Sequence, residues 1–282
     1  GLPQAARKEA LQVIAIIIIV ICAGLALWAL KTAPFLDDQM KGVARWLIKC
    51  LSPTPISPSP LRIFVVEMGA YRRGEIALLC SIVRPQIGVV TFIGTQHIAL
   101  FGSEENLVAA KSELVEALPK DGHAFLNADS ARTAQLQSAC SCAITTVSTG
   151  GVSDLEAFDI EETSHGLSLR IGGTAFAIPL HGTQNATNVL LATAVAEHLG
   201  VERSVIANRL ARFSPLPGTF HVQEREGITV LDDTHNCSPE SASAAIRWAD
   251  GRSATEKVLL TAGIIEQGNH TLQVHRDLGK IS

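Results

Sequence analysis

The chain has 282 residues, enough for one large domain or two smaller ones. Its net charge of −4 excludes a strongly basic nucleic-acid binder, so we expect no nucleic acid among its partners. Its six scattered cysteines are too few for a disulfide scaffold, so reduced thiols are expected.

Residues 11–30 are almost entirely apolar, and Gln12 is the one plainly polar side chain among them. Twenty helical residues span about 30 Å, the thickness of the hydrocarbon core of a bilayer. The segment therefore predicts a transmembrane helix after a short tail at 1–10, and a buried core helix is the alternative. More lysines and arginines follow the segment than precede it, which favours a membrane-anchored protein with its soluble part in the cytoplasm.

Residues 31–60 are predicted to be a juxtamembrane and Pro-rich linker. Their last part, 52–60, alternates proline with small or polar residues, with Ile56 the one apolar exception. Proline removes a backbone donor and fixes its own φ angle, so this stretch is too Pro-rich for a helix or a central strand. An extended linker is expected.

From residue 61 onward, short apolar runs alternate with helical patterns. Alternation of this kind predicts a parallel sheet covered by helices on both faces, an α/β fold. Ser103 is expected to cap the second helix, whose first turn carries two glutamates. The predicted strands are 62–66, 87–93 and 124–126, and the predicted helices are 74–83 and 103–118.

The second half of the chain continues this pattern after a β-rich stretch at 143–181, which has a turn at Gly172 and Gly173. Proline and glycine at 214–218 indicate a domain boundary. We expect a domain over 61–216 and a second, partial domain over 217–282. Further predicted helices are 185–199, 205–212 and one from Ser238 to about 250, and further predicted strands are 228–231 and 258–260. The first residue is Gly and the last ones continue a helical pattern, so we expect an incomplete sequence.

Polar residues follow several of the predicted strands. Glu67 ends the first strand, His97 comes soon after the second, and Asp-Asp-Thr-His-Asn at 232–236 follows the strand of the second domain. Ligands of open α/β sheets bind at the carboxyl ends of strands, and Mg²⁺ prefers oxygen ligands such as Glu67. A metal–nucleotide site is therefore one interpretation. A solvated strand-end glutamate and a structural histidine are the alternatives.

A set of short motifs in a fixed order resembles the Mur ligase family. Glu67-Met68-Gly69-Ala70 followed by Gly74-Glu75-Ile76 is similar to its E-M-G-A…G-E-I segment. Further blocks that resemble family motifs are 91–111, 116–129, 182–188, 217–218, 232–236 and 266–268. Together they cover about residues 61–282.

The resemblance implies a Mur ligase central domain followed by the start of a Rossmann-like C-terminal domain. It also implies an ATP- and Mg²⁺-dependent ligase of peptidoglycan precursor synthesis. The branch that it fits best adds D-alanyl-D-alanine to a UDP-muramoyl peptide through an acyl phosphate, so these two molecules are the implied substrates. Enzymes similar to folylpolyglutamate synthase are an alternative within the same superfamily.

The same resemblance assigns site residues. It implies that Glu67 and His97 ligate Mg²⁺, and that His97 and Lys111 serve catalysis at the acyl phosphate, the lysine as a carbamate in several relatives. Each has a structural alternative, such as a solvated helix lysine for Lys111.

The nucleotide residues are implied in the same way. Asn185, with Asn188, would contact adenine, and Asp233 would hold the ribose; Glu266 is a weaker candidate. A simple helix-capping role is the alternative for Asn185.

The sequence also departs from the family pattern. The phosphate-binding motif G-x-x-G-K-[ST], which should precede Glu67, has no G-K-[ST] match in the chain. Thr219 stands where an arginine is expected, and Phe92, Gln184 and His235 replace other usual residues. The alternative function is therefore a catalytically impaired, membrane-anchored scaffold or binding protein of the same fold, and the chain as written is expected to be inactive or nearly so.

Overall fold

The computed structural model describes residues 13–19 and 62–281 of the chain. The predicted tail at 1–10 and the predicted linker at 31–60 lie outside the described residues. The strands are β1 (Val13–Ile19), β2 (Arg62–Glu67), β3 (Ile87–Val90), β4 (His123–Asn127), β5 (Ala143–Ser148), β6 (Leu155–Thr163), β7 (Gly166–Ile171), β8 (Thr174–Ile178), β9 (His221–Arg225) and β10 (Ile228–Asp232). The α-helices are α1 (Glu75–Val83), α2 (Ile98–Phe101), α3 (Glu104–Glu116), α4 (Ala131–Ala134), α5 (Asn185–His198), α6 (Arg203–Leu210), α7 (Pro239–Asp250) and α8 (Thr271–Leu278), and short 3₁₀ turns lie at Gln135–Ala139 and Gly268–His270.

Eight strands form one sheet in the order β2-β1-β3-β4-β5-β6-β7-β8. The pairs from β2 to β6 are parallel, and the last two pairs are antiparallel. The predicted α/β fold with a parallel sheet is confirmed, and so is the turn at Gly172 and Gly173, which joins β7 to β8. Gly172 has φ 55°, a left-handed conformation in which glycine carries no steric penalty.

The predicted transmembrane helix over 11–30 is wrong for residues 13–19, which form β1. This strand pairs in parallel with β2 on one side and β3 on the other. A continuous run of valine and isoleucine suits a central parallel strand, and periodicity cannot distinguish such a run from a buried helix. The rest of that segment lies outside the described residues. No helix in the described ranges is long and apolar enough to cross a bilayer.

Helices cover both faces of the parallel sheet, as predicted. Alternate residues of β4 point to opposite faces: Phe125 belongs to a cluster with α5, whereas Ala124 and Leu126 belong to a cluster with α1 and α3. The side chain of Ser103 accepts a hydrogen bond from the backbone N–H of Asn106 (3.2 Å), so the predicted cap of α3 is confirmed. The sheet is thus held from both sides.

After residue 213 the secondary structure is sparser. Strands β9 and β10 form a separate antiparallel pair, and α7 begins with Ser238 as N-cap in a capping box and Pro239 in the first turn, as predicted. The predicted strand at 258–260 is wrong. Val258 and Leu260 are 82% and 96% exposed, and no strand among the described residues pairs with them. A strand needs a backbone partner, so an apolar run alone does not produce one.

Candidate functional site

The carboxyl ends of the central strands meet at one edge of the sheet. Ile18 of β1 is in register with Glu67, and Ile19 is in register with Val90, so three chain segments leave the sheet together. Glu67 is the last residue of β2. Burial raises the pKa of its carboxyl group, and the nearby His235 acts in the opposite direction. Glu67 therefore lies at the edge where the sequence placed it.

His97 is the most constrained residue of this edge. It is 6% exposed and has φ 61°, a left-handed conformation that is uncommon for a non-glycine residue. Its Nδ1 contacts Oε2 of Glu266, and its ring lies edge-on to Tyr71 with centroids 5.1 Å apart. Burial lowers its pKa, which favours the neutral ring.

The neutral ring has one proton, and the carboxylate of Glu266 fixes its location. A carboxylate accepts hydrogen bonds, so Nδ1 donates and Nε2 keeps its lone pair. Nε2 is buried and has no hydrogen-bond partner among the residues that the structure describes. Histidines that bind metals commonly show this arrangement, with one nitrogen held by a carboxylate and the other presented to the ion.

These donors fit a metal ion that takes most of its ligands from elsewhere. Within the described ranges, no group of three histidine, cysteine, aspartate or glutamate side chains is close enough to hold a metal. Mg²⁺ usually keeps several waters and binds through one or two carboxylates plus substrate phosphates. Glu67 and His97 could supply the protein's share of such a site.

Lys111 lies on α3 and is 4% exposed. Burial lowers the pKa of its amine to about 8, and Glu75 partly opposes that shift. In the part of the chain that the structure describes, no hydrogen bond or ion pair reaches this amine. The charge of Lys111 lowers the pKa of His97, which shows that the two groups share one electrostatic environment. Burial of this amine beside a buried imidazole lowers the stability of the fold. Groups whose pKa is shifted in this way are concentrated at functional sites.

The predicted nucleotide residues lie on two separate segments. Asn185 and Asn188 are in the first turn of α5, where Nδ2 of Asn188 donates to Oδ1 of Asn185 (3.0 Å). Asp233 follows β10, and its Oδ1 accepts from the backbone N–H of Phe220 (2.9 Å). Burial raises the pKa of the Asp233 carboxyl group. No contact between described residues joins either asparagine directly to Asp233.

Three glutamates that the sequence reasoning missed or ranked low connect the two halves of the chain. Glu266 holds His97, as described above. Oε1 of Glu240 accepts from the backbone N–H (2.9 Å) and the hydroxyl (3.0 Å) of Thr95, two residues before His97. Glu162 binds groups from both halves. Only the E-Q-G motif at 266–268 gave a sequence signal for any of the three.

Comparison with known proteins identifies this architecture. A family model described as "Mur ligase middle domain" matches residues 57–196. UDP-N-acetylmuramoyl-tripeptide–D-alanyl-D-alanine ligase of Bacillus subtilis is 29% identical over 228 residues, which cover 79% of this chain and 49% of that protein. The chain thus spans about half the length of the curated relatives that it matches.

Solved structures show the same likeness. A crystal structure of MurF from Acinetobacter baumannii matches with a TM-score of 0.76 and 26% identity, over 97% of this chain and 62% of that one. MurF ligase from Thermotoga maritima, in complex with ADP, matches with a TM-score of 0.71 and 22% identity, over 97% and 66% of the two chains, and this match shows the fold. Residues 57–196 are therefore a Mur ligase middle domain, and through that domain the chain belongs to the Mur ligase family.

Proposed function

We propose that this protein is an ATP-dependent amide ligase of peptidoglycan precursor synthesis, which joins D-alanyl-D-alanine to a UDP-muramoyl peptide. The activity for which the Bacillus subtilis relative is named supports the reaction and its two substrates. The observation that carries the proposal is the His97 imidazole, whose buried Nε2 has no partner among the described residues and which shares its environment with Lys111. The family resemblance implies a catalytic role for both residues.

The proposed reaction has two steps. The peptide carboxylate attacks the γ-phosphorus of ATP, which forms an acyl phosphate and releases ADP. The amine of D-alanyl-D-alanine then attacks the acyl carbon, and inorganic phosphate leaves as the amide bond forms. A bound Mg²⁺ would neutralise charge on the transferring phosphate.

The chain's own residues act by orientation and charge. Glu266 holds the neutral His97 ring with its Nε2 lone pair directed away from the carboxylate. Lys111 supplies a cation for the phosphate oxygens when protonated. With a pKa of about 8, about a tenth of it is an uncharged amine at pH 7, the form that can react with CO₂ to give a carbamate.

We assign the nucleotide to the region between α5 and the segment after β10. Asn185 and Asn188 would contact adenine and Asp233 the ribose, as the family resemblance implies. The ADP complex of the Thermotoga maritima protein supports nucleotide binding by this fold. The raised pKa of Asp233 is consistent with a carboxyl group that is partly withdrawn from water.

One observation favours the impaired scaffold or binding protein as a second candidate. In P-loop proteins the phosphate-binding loop follows a central parallel strand and cradles phosphates with backbone N–H groups and a lysine. β1 is such a strand, and its carboxyl end lies beside that of β2. The sequence after it is Val20-Ile21-Cys22-Ala23-Gly24, which contains no G-K-[ST].

The test is a ligase assay with Mg-ATP, UDP-muramoyl tripeptide and D-alanyl-D-alanine, in which product and phosphate are both measured. Loss of one preorganised phosphate-stabilising group costs about 10²–10³ in rate, so we expect product formation at least that far below a relative with G-K-[ST]. Lys111→Met should abolish the remainder, and Lys120→Met is the exposed control. ADP binding without any product would favour the second candidate. Neither product nor nucleotide binding would contradict the proposed ligase.

A further inference from the structure

Glu162 is the acceptor for four donors. Its Oε1 accepts from Nδ1 of His181 (2.5 Å), Nε1 of Trp248 (2.9 Å) and the guanidinium of Arg252 (3.3 Å). Its Oε2 accepts from the backbone N–H of Gly182 (2.9 Å). Three of these four donors therefore converge on one carboxylate oxygen, and the fourth binds the other. So many donors on one glutamate indicate a structural role.

The four donors come from two different parts of the chain. Glu162 is the next-to-last residue of β6, and His181 and Gly182 follow β8, so these residues belong to the middle domain. Trp248 lies on α7, and Arg252 follows that helix. The guanidinium carbon of Arg252 lies 4.1 Å from the centroid of the Trp248 ring, and the His181 ring meets the same indole edge-on. The Glu162 junction, defined as Glu162, His181, Trp248 and Arg252, therefore fixes α7 onto the middle domain.

The junction continues to the predicted adenine residue. The backbone carbonyl of His181 accepts from Nδ2 of Asn185 (2.8 Å), and Oδ1 of Asn185 accepts from Asn188 (3.0 Å). A continuous series of hydrogen bonds thus runs from Trp248 through Glu162 and His181 to Asn185. Both side-chain groups of Asn185 are oriented by it.

We propose that Glu162 is a positioning residue that couples the docking of α7 to the orientation of the Asn185 amide. When α7 is docked, Trp248 and Arg252 hold the Glu162 carboxylate, which in turn holds His181 and Gly182, and the amide keeps one orientation. When α7 leaves, Glu162 loses those two donors, so His181 and the Asn185 amide are held less tightly. The link to catalysis rests on the proposed function, in which Asn185 contacts adenine. The coupling itself concerns only residues of this chain and can be measured without nucleotide.

The first experiment measures side-chain NMR signals of the full chain. The Asn185 amide signal is assigned from its loss in Asn185→Asp, and the Trp248 indole signal from its loss in Trp248→Phe. Trp248→Phe keeps the ring packing against Phe220 but removes the Nε1–H donor. We expect Trp248→Phe and Glu162→Ala each to shift or broaden the Asn185 amide signal. Glu161→Ala is the matched control, because Glu161 is the preceding residue of β6 and its side chain is exposed.

The outcomes separate clearly. An Asn185 signal that moves in both junction variants and stays in the control supports the coupling. An unchanged Asn185 signal in folded Trp248→Phe overturns it, even if Glu162→Ala fails to fold.

The second experiment titrates ADP into the same proteins. Trp248→Phe removes a hydrogen bond to a charged carboxylate. If that bond orients a residue that contacts the nucleotide, its loss should weaken ADP binding by about tenfold or more, and we expect this result. Equal ADP affinity in wild type, Trp248→Phe and the control overturns the link to the nucleotide. If the wild type binds no ADP, the proposed function fails at this site, and the NMR result alone decides the coupling.

Discussion

The middle domain and the part of the chain after residue 213 are stabilised in different ways. In the middle domain, apolar clusters fill both faces of the sheet, and Phe125 and Phe176 are 1% exposed. Among the described residues after 213, the buried apolar side chains are Phe220, Ile246 and Ile264. Valines and leucines at 258–260 face solvent instead. Burial of apolar area therefore stabilises the first part far more than the second.

Polar contacts join the second part to the first. Glu240 binds Thr95, Asn236 accepts from Nε2 of Gln96 (2.8 Å), Glu266 holds His97, and Trp248 binds Glu162. Each of these contacts lies at or beside a proposed site residue. Hydrogen bonds between the two parts thus complete the site. Their net strength is modest, which suits a second part that can dock onto the middle domain and leave it.

The largest expected difference between the two parts is in the cost of removing a large apolar side chain. Phe125→Ala should lower the free energy of unfolding by about 3–5 kcal/mol, because it leaves a cavity beneath α5. Leu260→Ala should change it by less than about 0.5 kcal/mol, because Leu260 is 96% exposed. Urea denaturation monitored by circular dichroism measures both. Similar costs for the two variants would contradict the contrast.

The second prediction concerns Lys111, a site residue inside the well-packed domain. Lys111→Met should stabilise the protein at pH 7 by on the order of 2 kcal/mol, because it removes a buried ammonium group. The folded-state pKa of about 8 lies below the unfolded value of 10.5. The unfolded chain therefore binds more protons between those values, and wild-type stability rises with pH across that window.

The pH dependence is the control on that explanation. The advantage of Lys111→Met should be complete below pH 8 and should disappear as the pH approaches 10.5. Lys120→Met, at an exposed position of the same domain, should show no such dependence. An advantage that stays constant from pH 7 to 10 would mean that burial of charge is not its cause.

The third prediction concerns the junction between the parts. Glu240→Ala removes two hydrogen bonds to Thr95 and should weaken docking of the second part by about 1.5 kcal/mol. Limited proteolysis should then cut the chain after residue 213 several times faster, while the middle domain stays intact. Glu256→Ala, at an exposed glutamate, is the control. Equal cleavage rates for Glu240→Ala and this control would refute the role of Glu240.

The smallest effect is expected at the cap of α7. Ser238→Ala removes the half of the capping box in which the Ser238 hydroxyl accepts from the backbone N–H of Ser241 (3.0 Å), and it should destabilise the second part by about 1 kcal/mol. Hydrogen exchange of the α7 backbone amides measures it, with Ser253→Ala as the exposed control. Protection lost throughout the middle domain would show that the two parts unfold together.

Local sequence signals predicted most of the middle domain. Alternating apolar runs and the Ser103 cap gave the strands and helices, and ordered motifs identified Glu67, His97 and Lys111 as site candidates. Residues 13–19 were misread because a uniformly apolar run has no period that separates a strand from a helix. The run at 258–260 was misread because strand formation depends on a partner that the run itself does not specify.

The junction residues could not be predicted from local patterns. Glu162 contacts Trp248 and Arg252 across 86 and 90 positions of sequence, and Glu240 contacts Thr95 across 145. A glutamate on a strand or in a first helical turn reads as a solvated residue, and only the folded chain shows which ones are saturated with donors.

The most direct test of the central claim is a calorimetric titration of Mg-ADP into the wild-type chain and into Asp233→Ala. The claim is that a Mur ligase nucleotide site is present without the G-K-[ST] motif. It predicts weak wild-type binding, with a dissociation constant on the order of a millimolar, and weaker binding still in the variant. No detectable binding in the wild type, or equal affinity in the two proteins, would contradict it.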